Sequence, residues 1–271
     1  MLPRLETLVI QITVKCPNNC PQCYMKRGEE SISLDVAKRY IDKARDMGAV
    51  AVQLTGGEPL VYGELDELIE YIRARGMYSL LATSGCLHSD ERYSRLAESG
   101  LSAICVSVNG MSEEKNSETR DGFAESLSAI RCAVRHGLPC FANVVVTDDN
   151  IAELGLMGEY LRSRGVCAVN LLRPVRSYDG AYIPRLSEST VAAMREIVSE
   201  DEDFWNVENC FVEYWRSVRD EPFVCSDVGA LGVFVNADGT VSPCSKTQHL
   251  RYSDIAEMQS NKEKWQGGCL G

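Results

Sequence analysis

An α/β fold built on a curved parallel sheet is the architecture that this 271-residue sequence predicts, and three patterns predict it. Six short apolar runs, at 8–14, 49–54, 78–83, 103–108, 141–147 and 168–172, alternate with longer segments of helical period. Gly48, Gly76, Gly100, Gly137 and Gly165 each stand just ahead of the next run, where a left-handed residue ends a helix. Strands separated by helices must pair in parallel through right-handed crossovers, which leaves the helices outside the sheet.

The first run, 8–14, feeds directly into a cysteine-rich loop. Ser33 then caps a helix whose apolar positions Ala37, Tyr40, Ile41 and Ala44 share one face, and Leu65, Leu68, Ile69 and Ile72 do the same on the next helix. The second strand exits into Thr55-Gly56-Gly57-Glu58-Pro59, the third into Thr83-Ser84-Gly85 and the fourth into Ser107-Val108-Asn109-Gly110. Beyond about residue 200 the alternation stops. An acidic connector over 201–221 carries Trp205, Cys210 and Trp215, and a hairpin follows in which 233–235 and 240–242 flank Asn236-Ala237-Asp238-Gly239. That loop fits a type I turn closed by Gly239 in the left-handed region. A helical stretch over 253–265 comes last, so the expected organisation is a core over 1–200 and a connector with a small extension over 201–271.

Composition narrows the class. With 45% hydrophobic and 25% charged residues the chain can bury a full core. No stretch reaches the length of a membrane span, and Glu6 interrupts the N-terminal apolar run that a signal peptide would need, so a cytoplasmic location is expected. Twelve cysteines without a secretion signal argue for metal ligation plus scattered core thiols, the latter at Cys86, Cys105, Cys132, Cys140 and Cys167. A net charge of −11 disfavours nucleic acid, with Arg173 and Arg176 the weak candidates for a basic groove. Nothing favours His88, His136 or His249 as a catalytic base.

Cys16, Cys20 and Cys23 form a C-x3-C-x2-C run after the first strand. A structural zinc site wants four ligands, usually in C-x2-C pairs, and no fourth Cys or His lies nearby. A [4Fe-4S] cluster normally takes four thiolates, so a loop that offers three leaves one iron open. With this spacing at the end of a first β-strand, the sequence resembles the radical S-adenosylmethionine (SAM) superfamily. The resemblance implies a six-unit partial (β/α) barrel and a cluster whose open iron chelates SAM. One electron from that cluster cleaves SAM homolytically, and the resulting 5'-deoxyadenosyl radical abstracts hydrogen from a substrate C–H bond.

Further motifs carry the same resemblance to successive strand ends, where active sites of such sheets lie. Gly56-Gly57-Glu58-Pro59 matches the family's GGEP motif, which implies backbone approach to the methionine part of SAM at Gly56 and Gly57 and contact of Glu58 with its ammonium group. Two glycines ahead of a proline are also ordinary turn chemistry. Ser84 occupies the place of a small polar group near the ribose. Ser107 and Asn109, followed by Arg120-Asp121-Gly122-Phe123, resemble the run of the peptide-modifying branch in which the serine meets the ribose and the arginine meets the SAM carboxylate. Gln22 stands where an aromatic residue usually precedes the third cysteine, which shifts the expected adenine packing to Tyr24, and Asn109 stands where an aspartate is common.

Cys225-x13-Gly239-x4-Cys244, with Cys269 beyond, resembles the start of the SPASM and shorter Twitch extensions. That implies one auxiliary iron-sulfur cluster on Cys225, Cys244 and Cys269; buried structural thiols are the alternative. Cys269-Leu270-Gly271 stops one residue short of a C-x2-C pair, leaving three sources for a fourth ligand: a truncated chain, Cys210 or another group, or the substrate itself. Cys210 is open to three readings, a cluster ligand, a buried structural thiol or a thiol hydrogen donor, and the hydrogen-donor role is not the one expected.

The expected activity is oxidation, crosslinking or epimerisation of a residue in a ribosomally made peptide, fed by a low-potential electron donor such as flavodoxin or ferredoxin. The chain begins too close to its first strand for an N-terminal peptide-recognition domain to be expected. A small-molecule dehydrogenase or epimerase acting on an aminocyclitol or sugar is the alternative substrate class. A non-catalytic iron-sulfur redox sensor is the alternative outside enzymes, and SAM cleavage on reduction separates it from both.

Overall fold

The computed structural model describes residues 5–208 and 232–265. Within them the chain builds one nine-stranded sheet. The strands are β1 (Thr7–Thr13), β2 (Ala51–Gly56), β3 (Tyr78–Thr83), β4 (Ala103–Ser107), β5 (Cys140–Val145), β6 (Ala168–Leu172), β7 (Trp205–Val207), β8 (Gly232–Val235) and β9 (Val241–Ser242). The helices are α1 (Leu34–Asp46), α2 (Leu65–Ala74), α3 (Asp90–Glu98), α4 (Glu113–Ser117), α5 (Phe123–Arg135), α6 (Leu154–Ser163), α7 (Glu188–Glu200) and α8 (Ile255–Ser260).

The order across the sheet is β7-β6-β5-β4-β3-β2-β1-β8-β9. Every neighbouring pair is parallel except the hairpin β8–β9. The α/β fold with a curved, open parallel sheet that the alternating pattern predicts is therefore the one observed. All six predicted strands form, with ends shifted by a residue or two at four of them. The five helix-ending glycines have positive φ, from 69° to 96°. Gly239 also turns left-handed, at φ 84°, as the hairpin reading requires.

Helix formation follows the predicted faces. The side chain of Ser33 accepts a hydrogen bond from the Val36 N–H at the start of α1, and Ala37, Tyr40, Ile41 and Ala44 are buried. On α2 the buried set is Leu65, Leu68, Ile69 and Ile72. The predicted helical stretch at 253–265 contracts to α8 and a single 3₁₀ turn at Lys262–Lys264.

The boundary expected at residue 200 does not separate two layers. The segment read as a connector contributes β7, which pairs with β6, and the hairpin expected to open an extension pairs through β8 with β1. Both additions lengthen the same sheet, one at each edge, because each offers an apolar strand to an otherwise unpaired backbone edge. Cys210 and the rest of the predicted connector beyond residue 208 lie outside the described residues, as do Cys225 and Cys269.

Candidate active site

The C-terminal ends of the parallel strands surround a cavity of about 650 Å³. Cys16, Cys20 and Cys23 line it, on the loop that leaves β1. Hydrogen bonds to the 119–121 segment and to Tyr178 hold that loop. The Gln22 N–H donates to the Thr119 carbonyl at 3.2 Å, the Asn19 N–H donates to the Asp121 carboxylate, and the Tyr178 N–H donates to the Cys23 carbonyl at 2.9 Å. All three thiols are half-buried and free of disulfides. Burial pushes the Cys16 thiol above its ordinary pKa, and the nearby charges of Glu58, Cys20 and Cys23 act in the same direction.

Gly56 and Gly57 line the same cavity, but their lack of side chains serves β1 as well. A Cβ on Gly56 would collide with the Thr13 carbonyl, and one on Gly57 with the Lys15 carbonyl. The Gly57 N–H donates to Thr13 O at 2.7 Å and the Glu58 N–H to Lys15 O at 2.8 Å. The end of β2 is thus pressed against the base of the cysteine loop, an approach that only glycine permits.

Glu58 is placed differently from the expectation. Its side chain is fully buried and does not line the cavity. One carboxylate oxygen accepts from the Thr83 hydroxyl at 2.6 Å and from the Leu60 N–H at 3.1 Å. The other accepts from the Ser84 hydroxyl at 2.6 Å and the Ser84 N–H at 2.9 Å. The carboxylate ties the end of β2 to the end of β3, because Thr83 and Ser84 supply three hydrogen bonds and the Leu60 N–H a fourth to a buried group that would otherwise be costly to bury.

Asn109 also faces away from the cavity. Its Nδ2 donates to the Thr119 hydroxyl at 3.0 Å, and its Oδ1 accepts from the Val145 N–H at 3.0 Å. Asn116 continues the network, accepting from the Asn109 N–H at 2.8 Å and donating to the Arg120 carbonyl at 2.6 Å. These asparagines fix the 119–122 segment, so Asn109 holds the backbone around Arg120 rather than lining the site itself.

Ser84, Ser107 and Arg120 do line the cavity. Ser126, buried on α5, places its one hydroxyl proton within reach of the carbonyls of Ser84 (2.9 Å), Ser107 (3.0 Å) and, on its own helix, Gly122 (2.8 Å), so the helix packs against both strand ends. The Arg120 Nε, the Gln22 Oε1 and the Asn18 Nδ2 are buried and make no hydrogen bond among the described residues. Three such orphans on residues that line one cavity mark a place built to meet a polar ligand. Tyr24 stands in the partition between this cavity and a second of about 620 Å³. Its hydroxyl is paired with Ser245, and burial pushes its pKa up to about 12.

Cys244 also lines the cavity. Of the predicted core thiols, Cys140 is buried, Cys86, Cys105 and Cys132 are half-buried and Cys167 is exposed. Cys105 lines the cavity, and burial raises its thiol pKa to about 11. Arg173 is buried at the end of β6 and lines the main cavity, whereas Arg176 lines the second one.

Sequence reasoning missed the inner face of the sheet. Asn143, Asn170 and Asn206 reach the cavity from β5, β6 and β7. The available signal was asparagine, a residue that strands disfavour, in the middle of strand-forming runs.

The donor set suits an iron-sulfur cluster. Among the described residues no three His, Cys, Asp or Glu side chains group around one ion. A cubane binds each thiolate to a different iron, so three thiols on one loop in a cavity that also holds unpaired polar atoms suit a cluster and its ligand.

A parallel sheet with a triple-cysteine loop at the end of its first strand defines a class, and the family match agrees with it. The radical SAM superfamily profile matches residues 10–161, and the chain belongs to that superfamily. Membership implies a [4Fe-4S] cluster and SAM. Among solved structures, SuiB of Streptococcus suis bound to S-adenosylmethionine is similar with a TM-score of 0.78 at 16% identity, over 99% of this chain and 67% of that one. The anSMEcpe structure with AdoMet and the Cp18Cys peptide gives 0.69 at 18% identity, over 96% of this chain and 80% of that one. HydG, a maturase of the [FeFe]-hydrogenase, gives 0.60 at 11% identity, over 75% and 51%. At these identities the likeness is one of fold. No helix among the described residues is long and apolar enough to cross a membrane.

Proposed function

We propose that this protein is a radical SAM enzyme that modifies a residue of a peptide by hydrogen abstraction. The observation that carries the reading is the cavity itself: three thiols on one loop line it together with Arg120 and Gln22, whose Nε and Oε1 are buried and unpaired among the described residues. Cys16, Cys20 and Cys23 would hold the cluster, which when bound supplies the single electron that cleaves SAM to a 5'-deoxyadenosyl radical. Arg120 would pair with the carboxylate of SAM, a charge-assisted contact suited to its geometry. Gly56 and Gly57 would leave backbone exposed to the methionine moiety, with Ser84 and Ser107 toward the ribose. Tyr24, in the partition beside the cysteine loop, would border the adenine.

The peptide substrate class draws support from two structural neighbours, SuiB crystallised with the precursor peptide SuiA and anSMEcpe crystallised with peptides. An auxiliary cluster would use Cys244, which already faces the cavity, together with Cys225 and Cys269. A low-potential one-electron donor completes the requirement. Anaerobic reconstitution should load both cysteine sets, about eight irons per chain for two cubanes. Replacing Cys16, Cys20 and Cys23 together by Ala should remove about half of that iron and all reductive formation of 5'-deoxyadenosine. Persistent 5'-deoxyadenosine in the triple variant would end the assignment.

A further inference from the structure

Asn143, Asn170 and Asn206 are register partners on β5, β6 and β7, so their side chains form one row across the inner face of the sheet. The Asn170 Nδ2 donates to the Asn143 Oδ1 at 2.8 Å, and the Asn206 Nδ2 donates to the Asn170 Oδ1 at 3.2 Å. All three line the cavity. The row is polarised. Among the described residues, the Asn143 Nδ2 at the β5 end donates to nothing and the Asn206 Oδ1 at the β7 end accepts from nothing. Each carboxamide can make about four hydrogen bonds, so most of the row's capacity faces the cavity unused.

Stitching the sheet does not account for this row. The strands are already joined by backbone ladders, and asparagine is among the residues least suited to a strand interior. Three disfavoured residues in register on the cavity side are what a binding surface leaves behind when function overrides local propensity. The rungs are neutral, so they suit neither a phosphate nor a carboxylate, which call for cations. They offer donors at one end and acceptors at the other. Beside them Val145, Leu172 and Val207 supply apolar surface.

We infer that this carboxamide row reads the backbone of an extended peptide segment at least three residues long, an inference that rests on the peptide reading above. Two strand spacings separate the end rungs, about 10 Å, and an extended chain rises about 3.3 Å per residue, so three residues bridge them. A peptide carbonyl meets the Asn143 amide and a peptide N–H meets the Asn206 carbonyl. Side chains play no part in this contact, so the row selects for backbone length and leaves residue choice to the surrounding walls.

The test uses the anaerobically reconstituted, SAM-loaded protein and saturation-transfer NMR with three probes: acetyl-trialanine amide, acetyl-alanine amide and myo-inositol. The tripeptide should receive at least fivefold more transfer than the single residue, and myo-inositol little. Asn170→Leu and Asn206→Leu should each cut the tripeptide signal at least fivefold with SAM affinity retained, and Asn206→Gln should restore part of it. Asn206 is exposed on the short strand β7, so its variants keep the fold and decide the matter even where Asn170→Leu does not fold. Tripeptide transfer undiminished in Asn206→Leu overturns the row as the reader while leaving the peptide reading in place. Transfer to myo-inositol in preference to the tripeptide, or none to the tripeptide, overturns both.

Discussion

Glu58 shows how one residue's role turns on its neighbours. Its charge is held by four hydrogen bonds from Thr83, Ser84 and Leu60, inside a fully buried setting. Glu58→Gln replaces one acceptor with an NH₂ group that faces donors on either side. The expected loss is about 1.5 to 3 kcal/mol of unfolding free energy, read by urea titration, with little change in SAM affinity. The reverse result, intact stability with weakened SAM binding, would return the carboxylate to the ammonium group. Arg120 sits on the opposite side of this divide, with a buried Nε awaiting an acceptor. Arg120→Leu should weaken SAM binding by about 1.5 to 3 kcal/mol and leave iron content alone. Equal affinity in the variant and the unsubstituted protein would remove the arginine from the site.

At the scale of elements, the junction between β1 and β2 governs the cysteine loop. Gly57 packs its bare α-carbon on the Lys15 carbonyl, one residue before Cys16. A methyl group there must push the two backbones apart, since neither partner is a side chain that can swing aside. Gly57→Ala should therefore lower both stability and the iron retained after reconstitution. An alanine variant with full iron loading and an unchanged melting temperature would show that the junction tolerates movement. The same logic separates the helices: α5 begins at Gly122, φ 81°, and brings Ser126 onto the carbonyls of Ser84 and Ser107. A helix with no residue among those lining the cavity thus packs a buried hydroxyl against two cavity-lining strand ends.

For the whole molecule, the open sheet raises the question of what holds its two edges. β7 and the β8–β9 hairpin share no backbone ladder among the described residues. Lys246, just past β9, pairs with Glu208, just past β7, at 2.7 and 2.8 Å. Glu208 also accepts from the Arg173 N–H at 3.1 Å. The lysine side chain is 8% exposed and the glutamate 31%, so solvent screens this pair only in part. Lys246→Met removes the ammonium partner of the Glu208 carboxylate and should cost about 1 to 3 kcal/mol, whereas Lys246→Met with Glu208→Met should recover part of the loss. A double-mutant cycle with no coupling would mean the seam is held elsewhere. The hairpin has a second tether, the Tyr40 hydroxyl of α1, which reaches the Gly239 carbonyl at 2.8 Å and the Ser253 carbonyl at 3.2 Å.

The sequence by itself determined the alternation of strands and helices, the five left-handed helix ends, the hairpin turn at Gly239 and the triple-cysteine loop after β1. Each of these is local: a period, a φ preference or a spacing that a few adjacent residues impose whatever surrounds them. It also determined the superfamily, because the cysteine spacing and the strand-end glycines survive as short motifs. Only the tertiary structure decided that the hairpin lies against β1, where Ala237 meets Gln11 across 226 positions of chain. Only it decided that Glu58 turns toward Thr83 and Ser84, that Asn109 supports Arg120 from behind, and that Asn143, Asn170 and Asn206 fall in one row. These depend on which strand becomes whose neighbour and in what register. A one-residue slip would turn each asparagine to the other face of the sheet, and no local pattern carries that information.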